Sequence, residues 1–257
     1  MSDPATPASS AIFDATADGY AATMAPSLRP VAAEVVRRAE LQPGEQVLDV
    51  GCGTGIAAAA AHATGAAVIG LDGAPGMIAI ARRNVPDVDF RVGDFMALPF
   101  EDAAFDAIIS SHALLFATNH VDALREWRRV CRPGGRLSLS VPGPAERTPG
   151  ALYGEVYRRH DMDTSFAYPP VESLADWANA AGWTDATVES DPAVAIRLSD
   201  AGAFAAWRRT GTRGAATAGW SEERHAALTA DMLAVTPREP GGGYAIPFGA
   251  IYLSARN

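Results

Sequence analysis

An open α/β fold is what this 257-residue sequence predicts, and three observations carry that reading. Short apolar runs of strand length alternate with alanine-rich or amphipathic helical stretches. Several of those runs end on an acid or a glycine, where an open sheet places its ligand-binding edge. No apolar run approaches the ~18 residues that a membrane span requires, so no membrane partner is expected. With 48% hydrophobic and 20% charged residues the chain has the composition of a folded protein built on one core. Its net charge of −9 leaves no broad basic face, which argues against nucleic acid and for a small-molecule partner. The two cysteines, Cys52 and Cys131, pair with no histidine at metal-ligand spacing, so no metal is expected. The N-terminus lacks a charged segment followed by an apolar one, and a reducing, cytoplasmic location is the expectation.

In chain order, residues 1–10 are Ser, Pro and Ala and read as a disordered leader. A helical pattern begins at Ala11, runs past Tyr20 and continues from Val31 to Leu41, with Val31, Val35 and Ala39 on one face. After Pro43-Gly44, Val47 to Val50 forms the first strand and runs into Gly51-Cys52-Gly53-Thr54-Gly55, with a helix from Ile56 to His62 behind it. Glycines at alternate positions let the chain turn with positive φ and let a ligand lie against main-chain N–H groups at a helix N-terminus. The spacing differs from the G-x-G-x-x-G dinucleotide fingerprint. Asp49, two residues before the loop, would repel a pyrophosphate and attract an ammonium group. S-adenosylmethionine meets these demands: it has adenine and ribose, no phosphate, and an amino-acid tail whose carboxylate suits the positive end of a helix.

The stretch Val47–Gly55 resembles motif I of the class I S-adenosylmethionine-dependent methyltransferases. That resemblance implies a Rossmann-like, seven-stranded, mostly parallel sheet with helices on both faces and a helical cap over the acceptor site. It also implies that Asp49, Gly51, Cys52, Gly53, Thr54 and Gly55 surround the cofactor. The second strand, Ala67 to Leu71, stops at Asp72, the position of an acid that binds a ribose diol. Asp72-Gly73 to Met77 resembles the family's "D.S..M" turn, with Met77 placed to pack on adenine. The third strand, Val88 to Val92, leads to Asp94 and Phe95, whose counterparts receive the adenine edge. Phe13-Asp14 with Tyr20 resembles an N-terminal lid over the cofactor, and the Arg132-Pro133-Gly134-Gly135 turn before the fifth strand is a further family feature.

The fourth strand runs from Phe105 towards His112, and its exit at Ser110 to His112 faces the transferred methyl in this fold. His112 is therefore the candidate general base, needed where the acceptor must lose a proton. Many small-molecule relatives carry an "LHH" phrase a few positions later, where this chain has Leu114-Leu115-Phe116. The Asn/Asp-Pro-Pro-Tyr motif of amino-group methyltransferases is absent after strand four. Asn119 caps the next helix, Leu174 to Ala181 reads as a helix, and Thr187 to Ser190 as strand six. Residues 11–257 then form one methyltransferase domain with cap insertions at about 143–170 and 194–242, rich in aromatics and arginine, before a last strand around Ile246 to Ala255. The reading that follows is methyl transfer to a small, apolar or aromatic metabolite at O, C or N. A nicotinamide-dependent oxidoreductase and a non-catalytic cofactor-binding protein of the same fold are the alternatives.

Overall fold

The structure is a computed structural model that describes residues 5–162, 170 and 173–257. Its strands are β1 (Gln46–Val50), β2 (Ala67–Asp72), β3 (Asp89–Val92), β4 (Phe105–Ser111), β5 (Cys131–Val141), β6 (Thr184–Asp191), β7 (Ala195–Leu198), β8 (Tyr244–Pro247) and β9 (Ala250–Arg256). Three helices precede the sheet: α1 (Ala5–Ala15), α2 (Ala17–Thr23) and α3 (Ala25–Ala39). Then come α4 (Ile56–His62), α5 (Pro75–Asn84), α6 (His120–Val130), α7 (Pro149–Arg159), α8 (Ser173–Ala180), α9 (Ala201–Arg208), α10 (Gly211–Ala216) and α11 (Glu222–Val235).

Seven strands make one sheet in the order β3-β2-β1-β4-β5-β9-β6. β1 to β5 pair in parallel, and β9 is antiparallel to both β5 and β6. The chain moves outward from β1 to β3 and then returns to β4 on the other side of β1. The switch point therefore lies at the carboxyl ends of β1 and β4, where open α/β sheets take their ligands. Parallel strands are covered on both faces, which explains why β1 and β4 read as apolar runs rather than alternations. Val47 and Ile109 point into one core with α3, α4 and the second insertion. Leu48, Val50 and Ile108 point into the other, with α6 and α8. Two buried indoles fix that second layer, Trp127 Nε1 donating to the Phe95 carbonyl and Trp183 Nε1 to the Leu124 carbonyl, both at 2.9 Å.

Three expectations are corrected by these elements. Helix α1 begins at Ala5, so residues 5–10, expected within a disordered leader, are helical. The last strand, expected as one piece around Ile246 to Ala255, is two. Phe248 and Gly249 both turn their N–H groups to the Val194 carbonyl, at 3.1 and 3.0 Å, and this corner separates β8 from β9. The second insertion, expected as part of a helical cap, also contributes a strand beside α9, α10 and α11: β7 pairs with β8 as a separate two-stranded ribbon. Phe166 and Tyr168 of the first insertion lie outside the described residues.

Candidate active site

The loop after β1 is pinned to the end of β2, since the N–H groups of Gly51 and Cys52 both donate to the Leu71 carbonyl, at 2.8 and 3.0 Å. Gly51 has φ +67°, and a Cβ there would stand 2.2 Å from the Cβ of Ala113. Only glycine lets β1 and the exit of β4 approach this closely. Gly53, at φ +52°, differs: a Cβ on it would meet nothing within 4 Å and would stand in open space. That residue lines a cavity of about 90 Å³ at the carboxyl ends of the strands. Asp72 crosses the same cavity wall, its Oδ2 accepting from Gly53 N at 2.8 Å and its Oδ1 from Ala74 N at 2.9 Å. Burial pushes its carboxyl group above the usual range, while those two N–H groups favour the anion. Each oxygen keeps a lone pair for a ligand hydroxyl. Gly73, Met77, Asp94 and Phe95 complete the far wall, with Asp94 Oδ1 accepting from Met96 N at 2.8 Å.

Five further residues expected at the cofactor form the floor beneath the loop and are not among the lining of that cavity. Ser110 donates its hydroxyl to the Val50 carbonyl at 2.8 Å, which ties β4 to β1. Cys52 turns its thiol into the core towards Gly70, and Thr54 is buried as well. Gly55, with φ +85°, is the N-cap of α4. Asp49 is wholly buried, and neither carboxylate oxygen has a hydrogen-bond partner among the described residues. Burial pushes its carboxyl up to about 7. With only the Ala58 main-chain N–H directed at it, this buried acid is short of partners and suits a cation. An orphaned acid under the loop, a glycine cradle above it and a half-satisfied carboxylate at the next strand end fit the amino-acid tail and the ribose diol of S-adenosylmethionine.

A second cavity, of about 110 Å³, adjoins the first. Phe13, Tyr20, His112 and Phe116 line both, so one wall separates and joins them. Phe13 meets Tyr20 and Phe116 edge-on, with ring centroids 5.9 and 5.1 Å away. Phe13 and Tyr20, expected as a lid, thus line both cavities, and Asp14 ties their segment to α5: its Oδ1 accepts from Gly76 N, at the first turn of that helix, at 2.5 Å. Burial, and then the charge of Asp72, raise the Tyr20 phenol well above its ordinary range. Most of the remaining lining is apolar, from Met24 and Leu28 at one side to Ile196, Trp207 and Phe248 at the other.

His112 sits at the junction in the left-handed region, φ +63°, with its N–H bound to the Ser140 carbonyl at 2.9 Å. Its Nδ1 is 3.0 Å from Ser140 Oγ, and its ring stacks on Phe248 at 5.3 Å. Nε2 is buried with no partner among the described residues. Burial lowers its pKa to about 3, so the imidazole is neutral in the free site.

Residues 48–139 match the methyltransferase domain family. A demethylmenaquinone methyltransferase of Corynebacterium efficiens is 36% identical over 167 residues, covering 58% of this chain and 71% of that protein. The protein of the same name from Renibacterium salmoninarum is 33% identical over 164 residues, covering 56% of this chain and 68% of its own. The chain belongs to the class I S-adenosylmethionine-dependent methyltransferases. Its cofactor is S-adenosylmethionine, and it is an enzyme of methyl transfer. In architecture it is similar to a phosphoethanolamine N-methyltransferase of Haemonchus contortus in complex with S-adenosyl-L-methionine, with a TM-score of 0.60 at 18% identity, covering 89% of this chain and 52% of that one.

Sequence reasoning missed several residues around the methyltransferase's second cavity. Leu115 and Phe116 were visible only as a departure from the family phrase. Met24 and Leu28 fall between the two helical stretches that the sequence marked, and Phe248 read as part of a strand. Among the aromatics of the first insertion, Tyr153 does not line the cavity but packs 6.4 Å from both Phe204 and Trp207, and of these Trp207 reaches it.

Proposed function

We propose that the enzyme methylates a small, largely apolar and aromatic acceptor held in the 110 Å³ cavity, with His112 as the catalytic residue at the acceptor atom. The observation that carries this is the shared wall: Phe13, Tyr20, His112 and Phe116 face both cavities, as in-line transfer between adjoining ligands requires. Relatives whose name gives demethylmenaquinone, a quinone precursor, as their substrate are of the same chemical class. Asp49, the 51–55 loop, Asp72 and Asp94 are the cofactor-binding set, and the segments at about 143–170 and 194–242 are the cover of a single catalytic unit.

The bound sulfonium supplies the methyl group. Asp49, the 51–55 loop and Asp72 would hold the sulfonium so that an acceptor lone pair could displace the thioether in line, the carbon–sulfur bonding pair leaving with sulfur. With a hydroxyl acceptor, the departing proton passes to His112 Nε2. A weak base suffices there, because an oxygen that has gained a methyl group is strongly acidic. Nδ1–H donating to Ser140 Oγ is the tautomer that leaves Nε2 as acceptor. Phe13 and Tyr20 exclude water, and Phe248 holds the ring of His112.

Formation of S-adenosylhomocysteine across a panel of phenols, quinols and aromatic amines tests the reading. Phe248→Ala should raise the KM of any acceptor found by about tenfold while leaving cofactor affinity in place. Turnover confined to polar aliphatic acceptors, or an acceptor KM indifferent to Phe248, would sink it.

A further inference from the structure

Arg208, the last residue of α9, lines the second cavity and is 4% exposed. Two of its three nitrogens are engaged within the protein. Nε donates to Thr229 Oγ1 at 2.9 Å, and Nη2 donates to His225 Nδ1 at 2.6 Å. A guanidinium can only donate, so His225 is neutral and accepts through Nδ1. The Thr229 hydroxyl is in turn anchored on the His225 carbonyl at 2.8 Å, which holds the whole group in place. Nη1 is buried and has no partner among the described residues.

Among the described residues no carboxylate lines the cavity and none forms an ion pair with Arg208; Glu222, taken by the neighbouring Arg209 at 2.6 Å, acts on it only at longer range. Arginine cannot escape by losing its proton, so an unpaired guanidinium in an apolar wall is costly until an anion meets it. Burial disfavours its charged form further. Arg208 does not line the cofactor cavity, so the charge it would receive belongs to the other ligand.

We infer that the acceptor is an apolar ring system carrying one negative charge, a carboxylate, which Arg208 Nη1 binds at a position removed from the wall shared with the cofactor. This rests on the acceptor cavity proposed above and adds the charge of its occupant. A single free nitrogen and one unbalanced cation match a monoanion; a phosphate dianion would ask for more donors than the wall provides.

The test is calorimetry on the full chain saturated with S-adenosylhomocysteine, using naphthalene-2-carboxylate and its neutral carboxamide. The carboxylate should bind about ten- to a hundredfold tighter than the amide. Arg208→Met should abolish that preference while keeping the affinity for S-adenosylhomocysteine and for the amide. Equal affinities in the parent, both weakened by Phe248→Ala, would overturn the role of Arg208 and leave the acceptor cavity standing. Binding of neither probe would overturn the cavity assignment and this inference with it. Naphthyl phosphate binding tenfold tighter than the carboxylate would overturn the single charge.

Discussion

The cofactor cavity and the acceptor cavity share a wall yet are built in opposite ways. The first is made from strand ends and main chain: the glycine loop after β1, Asp72 after β2 and Asp94 after β3. The second is made from side chains of α1 to α3, the exit of β4, the corner before β9 and helix α9. Main-chain cradles depend on local turns and tolerate little change. Side-chain walls depend on how distant segments pack, and can be re-lined without disturbing the sheet. On the proposed assignment, the chemistry common to the family belongs to the first and the choice of acceptor to the second.

The largest expected effect falls on the residue between them. Asn accepts the left-handed backbone of His112 and fills a similar space but offers no base. His112→Asn should therefore lower kcat by about 10²–10⁴-fold with cofactor affinity almost unchanged. A fall within tenfold, measured in single-turnover assays with a hydroxyl acceptor, would return His112 to the wall. Asp72→Ala acts on one side only. It removes two charge-assisted contacts to the ligand diol and should weaken S-adenosylhomocysteine by about 1.5–3 kcal/mol in calorimetry, leaving the acceptor KM alone. An equal loss on both ligands would mean that the two cavities do not respond independently.

The last effect is in stability against pH, where the two sides oppose each other and only their difference shows in the parent. His112 has its pKa lowered from 6.5 to about 3, so between those values the unfolded state binds more protons and stability rises with pH. Asp49 has its pKa raised from 3.8 to about 7, so over that interval the folded state binds more protons and stability falls with pH. Their contributions oppose each other from about pH 4 to 6.5, each at most ~1.4 kcal/mol per pH unit. Relative to the parent, Asp49→Asn should steepen the rise of stability with pH in that window, and His112→Asn should reverse it. Urea unfolding at a series of pH values reads both slopes, and parallel curves for the three proteins would refute the opposition.

The same contrast decides what was legible from the amino acids. Val47 to Gly55, Asp72 and the Asn119 cap are local signals, and each stands where the pattern put it, Asn119 Oδ1 accepting from Asp122 N at 3.1 Å. His112 followed from the register of the fourth strand. Ser110 and Cys52 lay in the right segment, but strand alternation and a turn in the loop point their side chains away from the cavity, a distinction that spacing alone does not make. Phe248 was beyond reach because its place comes from a corner folded onto the Val194 carbonyl, 54 positions earlier in the chain. Arg208 was visible only as one arginine in a basic stretch; its burial against His225 and Thr229 is a fact of tertiary packing.

The Asp14 clasp on Gly76 has a kinetic meaning. It anchors the helix that carries Phe13, and the rings of Phe13 and Tyr20 roof both cavities at once. On the site proposed above, lifting that roof to exchange the spent thioether for fresh cofactor would also uncover the methylated product, so the expectation is one methyl per acceptor visit. A pulse-chase with isotopically labelled cofactor, showing singly methylated product even from acceptors with two reactive positions, is the signature of such a shared door.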